Sequence, residues 1–128
     1  MSLIILQLTN MEFRLLVTSP PDQGLDLFFW MWTLKEAYSK ALGLGLGFDF
    51  ARIEYNIHEG VVLVDGKVPK GWHFTKFELS VGDDRYQGVV AEFFGGDRTE
   101  IVMAEPNWLV QYSAQDFVQA AIHELAIV

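Results

Sequence analysis

The sequence predicts an α+β fold, in which an antiparallel meander of about five to six strands has a long helix after its first strand and a C-terminal helix packed on one face. Three observations lead to this prediction. Short runs alternate apolar and polar residues, turn signals separate these runs, and two longer stretches repeat apolar residues every three or four positions. Because each element then has one apolar side, the sheet and the helices are expected to bury those sides against one another.

The first predicted element is a half-buried strand within residues 3–18, a segment rich in Ile, Leu, Val and Phe. Alternation of apolar and polar residues is typical of a strand with one buried face. Two adjacent prolines, at positions 20 and 21, then interrupt the chain because proline fixes φ and lacks a backbone donor. The alternating apolar side chains are Met11, Phe13, Leu15 and Val17.

A long helix is predicted next, over about residues 25–42, with Asp22 or Asp26 as its N-terminal cap. Gly43 suits the C-terminal cap of this helix. Apolar and aromatic residues at three- and four-residue spacing predict a stripe that faces the core. They are Leu27, Met31, Leu34, Tyr38 and Ala41.

The apolar period changes to two from position 48 onward, and this change predicts strands. In the clearest strand Ile53 and Tyr55 share one face, while Arg52, Glu54 and Asn56 share the other. Turn signals of the Asp-Gly type separate further alternating runs and indicate a meander. The further strands are expected over residues 61–64, 72–81, 86–94 and 99–104.

Ser113 and Asp116 predict the start of a C-terminal helix, since their spacing resembles a capping box with Asp in place of Glu. Phe117, Ala121 and Leu125 then repeat at four-residue spacing and form an apolar face. We expect this face to pack on the sheet.

The length of the chain fits one domain, and no linker or repeat divides it. Residues 1–128 are therefore interpreted as a single α+β domain. Met11 is an alternative start, so residues 1–10 are a candidate leader segment.

Composition limits the possible partners. Seventeen acidic and nine basic side chains give a net charge of −8, whereas a nucleic-acid backbone requires clustered Lys and Arg. No apolar run approaches the ~20 residues that cross a bilayer. We therefore expect neither a nucleic-acid partner nor a membrane. The sequence has no cysteine, which fits a reducing compartment, and we predict a cytoplasmic protein.

Three polar residues are the candidates for catalysis. Glu54 and His58 fall on the same face of the clearest predicted strand, and His73 lies on a later strand. A histidine beside a carboxylate can act as a general base, so these residues would suit a hydrolase or an isomerase. The alternative is that they form the wet face of an antiparallel sheet.

Aromatic residues are the candidates for binding a ligand or a partner. Trp30 and Trp32 are two positions apart on the long helix and point to different sides, so one of them is expected in a groove or an interface. The other candidates, which equally suit a filled core, are Tyr38, Trp72 and Trp108.

Two motif-like segments are incomplete. Gly43, Gly45 and Gly47 follow a helix instead of a strand, and Phe48 stands where a dinucleotide-binding loop would place its last glycine. His123-Glu124 lacks the second histidine of a zinc-protease helix, because position 127 is isoleucine. No cofactor and no metal are therefore predicted.

These observations favour a non-catalytic binding or accessory protein that interacts with another protein or associates with itself through the aromatic helix. Two alternatives stay open. The element order is similar to that of helix-grip folds, and this resemblance implies a protein that binds a small hydrophobic ligand. The other alternative is the hydrolase or isomerase built on the three polar residues named above.

Overall fold

The computed structural model describes residues 7–44 and 47–126, and within them two helices precede every strand. The strands divide into two separate sheets, and a third helix follows the last strand. In chain order the elements are α1 (Asn10–Thr18), α2 (Pro21–Ala41), a 3-10 turn (Phe50–Arg52), β1 (Ile53–Asn56), β2 (Val61–Val64), β3 (Trp72–Val81), β4 (Asp84–Phe93), β5 (Glu100–Met103) and α3 (Ala114–Ala126).

Residues 10–18 form helix α1, so the strand predicted for them is wrong. Thr9 begins the helix with a capping box. Its side-chain oxygen accepts a hydrogen bond from the backbone N–H of Glu12 at 3.3 Å, and the Glu12 carboxylate accepts one from the N–H of Thr9 at 2.9 Å. This arrangement satisfies two backbone donors at once and favours a helix despite the apolar alternation. The prediction for residues 3–6 lies outside the described residues.

Helix α2 begins at Pro21, earlier than predicted, and neither predicted aspartate caps it. Proline suits the first helical turn because its missing N–H would have no partner there. The predicted glycine end is confirmed, since Gly43 has a φ of +75° and donates its N–H to the carbonyl of Lys40 at 3.0 Å. The N–H of Leu44 bonds to the carbonyl of Ser39 at 3.2 Å, which completes a Schellman cap.

The strands form a two-stranded and a three-stranded sheet, so the single antiparallel meander of five to six strands is wrong. The antiparallel pairs β1–β2 and β3–β4, which local turn signals predict, are both present. In the larger sheet β3 lies in the middle. Strand β5 pairs in parallel with the edge of β3 that does not contact β4.

Hydrogen bonds around the start of β3 explain the parallel strand. The N–H of Gly71 donates to the carbonyl of Arg98 at 3.1 Å. The Thr99 hydroxyl accepts from the N–H of Trp72 at 3.2 Å and donates to the carbonyl of Pro69. These bonds hold the segment after β4 across the start of β3. The chain therefore reaches the free edge of β3 instead of turning back along β4.

The core lies between α2 and the two sheets. Side chains from one face of α2 meet the inner faces of β1, β2 and β3. The buried apolar residues are Trp30, Met31, Leu34, Tyr38, Phe50, Ile53, Tyr55, Val62, Trp72 and Phe74.

Helix α3 does not pack on the sheet, so this part of the predicted fold is also wrong. None of its described residues is buried. The predicted cap is present, since the N–H of Asp116 donates to the hydroxyl of Ser113 at 3.1 Å. An amphipathic pattern shows that a helix has an apolar face but does not specify what covers it.

We expect Gly71→Ala to destabilise the fold far more than Gly82→Ala. Both glycines have a positive φ, but a Cβ on Gly71 would lie 2.7 Å from the Cα of Gly95, whereas Gly82 has no neighbour within 4 Å. Gly71→Ala should lower the free energy of unfolding by about 3 kcal/mol, and Gly82→Ala by about 1 kcal/mol. Urea unfolding measures both values, and equal losses would contradict this account.

Candidate functional site

A buried ion pair joins α1 to α2. The Nζ atom of Lys35 lies 2.6 Å from Oε1 of Glu12, and the two side chains are 1% and 0% exposed. Lys35 also donates to the backbone carbonyl of Gln7 at 2.7 Å. Glu12 accepts the N–H of Thr9 at Oε1 and the N–H of Tyr55, in β1, at Oε2, both at 2.9 Å. The pair therefore connects the start of α1, the middle of α2 and the first strand.

Burial makes this pair sensitive to the loss of either partner. Moving two charges out of water costs several kcal/mol per ion, and only close pairing with further hydrogen bonds offsets that cost. Desolvation lowers the pKa of Lys35, although the neighbouring Glu12 carboxylate acts in the opposite direction. The complete set of hydrogen bonds on the Glu12 carboxylate keeps the two charges together.

The pair fixes which side of α2 faces outward. Lys35 points inward, so the opposite side of the helix carries a row of residues at three- and four-residue spacing. We call this row the open face of α2. Its members are Asp22, Leu25, Phe29, Thr33, Glu36 and Lys40, each exposed or half-buried.

Lys40 is the basic residue that α2 presents to solvent. The other α2 lysine, Lys35, is held by Glu12. Two basic residues on other elements also have partners: Arg52 pairs with Asp65 at 2.6 Å, and the Nζ of Lys76 lies 4.4 Å from the ring centre of Trp30. None of the ion pairs among the described residues involves Lys40. Glu36 lies one helical turn before Lys40 on the open face, so the two residues are neighbours on the helix surface.

A cavity of about 560 Å³ lies beside the N-terminal half of α2. Arg85 crosses its wall and donates to Asp26 at 3.3 Å and to Glu78 at 3.0 Å. Gln87 holds the same Asp26 oxygen at 2.7 Å. The cavity is therefore polar, with its charges partly paired. Its lining residues are Ser19, Asp22, Gln23, Asp26, Leu27, His58 and Arg85.

The three residues predicted for catalysis occupy separate places. Glu54 lies in β1 and pairs with Leu63, and His58 follows that strand at the wall of the cavity. His73 belongs to the other sheet, where its Nε2 lies 4.0 Å from the Glu100 carboxylate. No hydrogen bond or ion pair joins the three described side chains to one another. Their catalytic role stays a prediction.

The aromatic candidates fall into two groups. Trp30, Tyr38 and Trp72 are buried in the core, where the rings of Tyr38 and Trp72 meet edge to face at 4.8 Å. Trp32 points to the other side of α2, as its spacing predicts, and packs on Phe50 with 5.3 Å between ring centres. Trp108 is 43% exposed and rests against Phe77. A binding role for these residues also stays a prediction.

The charged residues of α2 are not among the residues predicted for the site, although the sequence contains a signal for them. Lys35 stands four residues after Met31 and three before Tyr38, within the stripe that predicts the core-facing side. A charge in such a stripe requires a buried partner. Glu12, three residues after Thr9 in a capping-box pattern, is that partner.

Two kinds of feature are absent from the described part of the chain. Residues 7–44 and 47–126 contain no group of three or more His, Asp or Glu side chains placed to hold a metal ion. No helix among them combines the length and the apolar character that crossing a membrane requires. The predicted lack of metal and cofactor stays a prediction.

Comparison with known proteins identifies relatives of the chain. Residues 3–91 match the family model of the 4'-phosphopantetheinyl transferase superfamily. The 4'-phosphopantetheinyl transferase pptA of Paxillus involutus is 47% identical over 120 residues, which are 93% of this chain and 46% of that protein. The L-aminoadipate-semialdehyde dehydrogenase-phosphopantetheinyl transferase of Homo sapiens is 33% identical over 94 residues, 65% of this chain and 30% of that protein. No solved structure matches the chain significantly.

The chain belongs to the 4'-phosphopantetheinyl transferase superfamily. It spans about half the length of the Paxillus relative. The prediction of a non-catalytic binding or accessory protein is therefore wrong, because the family consists of transferases. The two alternatives, a helix-grip ligand binder and a hydrolase or isomerase, do not describe this family either.

We expect Lys35→Met to destabilise the protein severely, since it leaves the Glu12 carboxylate buried without its counter-ion. Breaking one partner of a buried pair costs about 3–5 kcal/mol. Urea unfolding measures the loss. The matched control is Asp65→Asn, which breaks the exposed Arg52–Asp65 pair and should change stability far less. Similar losses in the free energy of unfolding of both variants would contradict the larger contribution expected from the buried pair.

Stability should fall between pH 10 and pH 12 because of Tyr55. Burial raises the pKa of Tyr55 to about 12, from an ordinary value of 10.0. In that range the unfolded chain loses the tyrosine proton first, so rising pH favours unfolding, by up to about 1.4 kcal/mol per pH unit. Urea unfolding is measured at about four pH values from pH 9.5 upward. The free energy of unfolding should decline less steeply with pH for Tyr55→Phe than for the wild-type protein. Identical declines of the free energy of unfolding in the two proteins would contradict this role of Tyr55.

Proposed function

We propose that this member of the superfamily contributes the open face of α2 to the active centre of a 4'-phosphopantetheinyl transferase. The family match over residues 3–91, which includes α1, α2 and the first three strands, carries the proposal. Because the chain spans 46% of the Paxillus relative, other parts of such a protein would complete the centre.

The reaction named by the family sets the chemical requirements. The oxygen of an acceptor hydroxyl forms a bond to the phosphorus of the phosphopantetheinyl group, and the bond from phosphorus to the donor's leaving oxygen breaks. The proton of the acceptor hydroxyl is released to water, and the leaving oxygen departs as part of the phosphate that stays on the rest of the donor. Negative charge spreads over the phosphate oxygens in the transition state, so fixed cations nearby accelerate the transfer.

Lys40 supplies the cation that this chemistry needs. It is exposed, and the ion pairs described for the neighbouring basic residues do not engage it. The buried side of α2, anchored by the Glu12–Lys35 pair, keeps the helix from turning Lys40 away. We therefore assign Lys40 to the phosphate of the transferred group.

Glu36 supplies a carboxylate about 6 Å along the helix from Lys40. Phosphoryl-transfer sites commonly hold Mg²⁺ with one or two carboxylates, phosphate oxygens and water. A single half-buried carboxylate on an open face suits such a set, since it leaves positions for the phosphate oxygens and water. An ion bound there would neutralise charge that develops on the phosphate.

The acceptor is proposed to be a protein. The name of the human relative couples the transferase with L-aminoadipate-semialdehyde dehydrogenase. This supports the protein partner that the sequence predicts, now as a substrate. Self-association through the aromatic helix stays a prediction.

Lys40→Met and Glu36→Gln should each lower kcat about a hundredfold, because each removes a group that acts on the transition-state charge. The intact protein is assayed with coenzyme A, which contains the 4'-phosphopantetheinyl group, and with L-aminoadipate-semialdehyde dehydrogenase as acceptor. Mass spectrometry of the acceptor measures transfer.

The matched control is Lys67→Met, which removes an exposed lysine from the turn after β2. This variant should transfer at the wild-type rate, and circular dichroism should show all three variants folded. Full activity in Lys40→Met and Glu36→Gln would contradict the assignment of the open face. No transfer by the wild-type protein would contradict the proposed function itself.

A further inference from the structure

We propose that Glu12 is a positioning residue for phosphopantetheinyl transfer, because by holding Lys35 it sets the rotation of α2 about its axis and so the places of Glu36 and Lys40. This inference rests on the proposed function and deepens it. It assigns to a side chain that is 0% exposed an effect on kcat that is separate from its effect on stability.

Donors from separate segments fix the Glu12 carboxylate. Its Oε1 accepts the Nζ of Lys35 at 2.6 Å and the N–H of Thr9 at 2.9 Å, and its Oε2 accepts the N–H of Tyr55 at 2.9 Å. Because both oxygens are engaged from different sides, the carboxylate cannot turn without breaking a hydrogen bond. Lys35 is therefore held at a fixed point relative to α1 and β1.

Lys35 has no second carboxylate that could take the place of Glu12. Asp49 and Glu54 act on its charge from a greater distance. Within residues 7–44 and 47–126, no ion pair joins either of them to Lys35. The other hydrogen bond of the ammonium goes to the carbonyl of Gln7 at 2.7 Å. Loss of the Glu12 carboxylate would let the ammonium shift toward these groups and turn α2 with it.

The rotation of α2 places both functional residues at once. Glu36 directly follows Lys35, and Lys40 directly follows Ser39, which is 2% exposed and lies one turn after Lys35. The Ser39 hydroxyl donates to the carbonyl of Glu36 at 3.1 Å. A turn of about 20° moves an atom about 6 Å from the helix axis by about 2 Å. Misplacement of a reacting group by about 1 Å can slow a reaction about a hundredfold.

Apolar packing sets this rotation less finely than the ion pair does. Trp32 rests on Phe50, and Tyr38 meets Trp72, so the core holds α2 against the rest of the fold. Such contacts are not directional, and a core can repack around a small shift. A charge-assisted hydrogen bond is short and directional. Packing therefore keeps the helix in place, and the ion pair fixes its angle.

The test compares Lys35→Met with the double variant Glu12→Gln plus Lys35→Met in the intact protein. The single variant leaves a buried charge unpaired and should lower the thermal midpoint by about 10 °C or more. The double variant removes both charges and keeps an oxygen that can accept from Tyr55, so most of that loss should be recovered. Its kcat should nevertheless stay about tenfold or more below the wild-type value. The KM for L-aminoadipate-semialdehyde dehydrogenase should not change.

Glu12→Asp gives a second, independent measurement. It keeps the charge but shortens the side chain by about 1.5 Å, so Lys35 must move to stay paired. We expect kcat to fall about tenfold with an unchanged KM for the acceptor protein. If the double variant does not fold, this variant decides.

The matched control is Gly71→Ala, which destabilises the fold at the contact of Gly71 with Gly95. Its thermal midpoint should fall, whereas its kcat, measured well below that midpoint, should equal the wild-type value. A wild-type kcat in the folded double variant or in Glu12→Asp, or an equal fall of kcat in Gly71→Ala, would overturn the proposal. A failure of the proposed function is distinct, since it would abolish transfer by the wild-type protein.

Discussion

The Glu12–Lys35 ion pair is the constraint from which the arrangement of the described elements follows. A buried charge cannot give up its partner without a large cost, so α1, α2 and β1 are fixed relative to one another at a single point. Turning α2 by one residue, which is 100°, would bring Glu36 toward the core and leave Glu12 unpaired. Of the two adjacent residues, Lys35 is therefore the one that faces inward, and this places Glu36 on the outward side of the helix. In this way a buried ion pair determines which side chains α2 presents to solvent.

The two sides of α2 consequently meet different physical demands. The inner side is filled by large apolar and aromatic residues that meet both sheets, so the position of the helix depends on close packing. The outer side is less buried, and it carries Asp22, Leu25 and Phe29 in its N-terminal half and Thr33, Glu36 and Lys40 in its C-terminal half.

Local signals predicted the elements whose contacts are close in sequence. The turns that join β1 to β2 and β3 to β4 are encoded by adjacent residues, and both hairpins are present. Helix α2 and its glycine cap were predicted for the same reason. Alternation within residues 10–18 gave the wrong answer because the Thr9–Glu12 capping box favours a helix there. The parallel pairing of β5 depends on bonds between distant segments, such as Trp72 with Thr99, and no local pattern reveals it.

The charged residues of α2 were harder to predict because one of two adjacent charges is buried and the other is not. Lys35 and Glu36 together look like a solvated pair, and only the helical period places the lysine among the apolar residues. A lysine in that stripe requires a carboxylate from elsewhere, and the capping-box glutamate satisfies the requirement. Histidines near carboxylates suit hydrolysis, whereas phosphoryl transfer needs fixed cations and carboxylates on an accessible surface. A charge that interrupts the apolar stripe of a long helix is thus informative twice, since it demands a buried partner and identifies the opposite side of the helix as the one that faces outward.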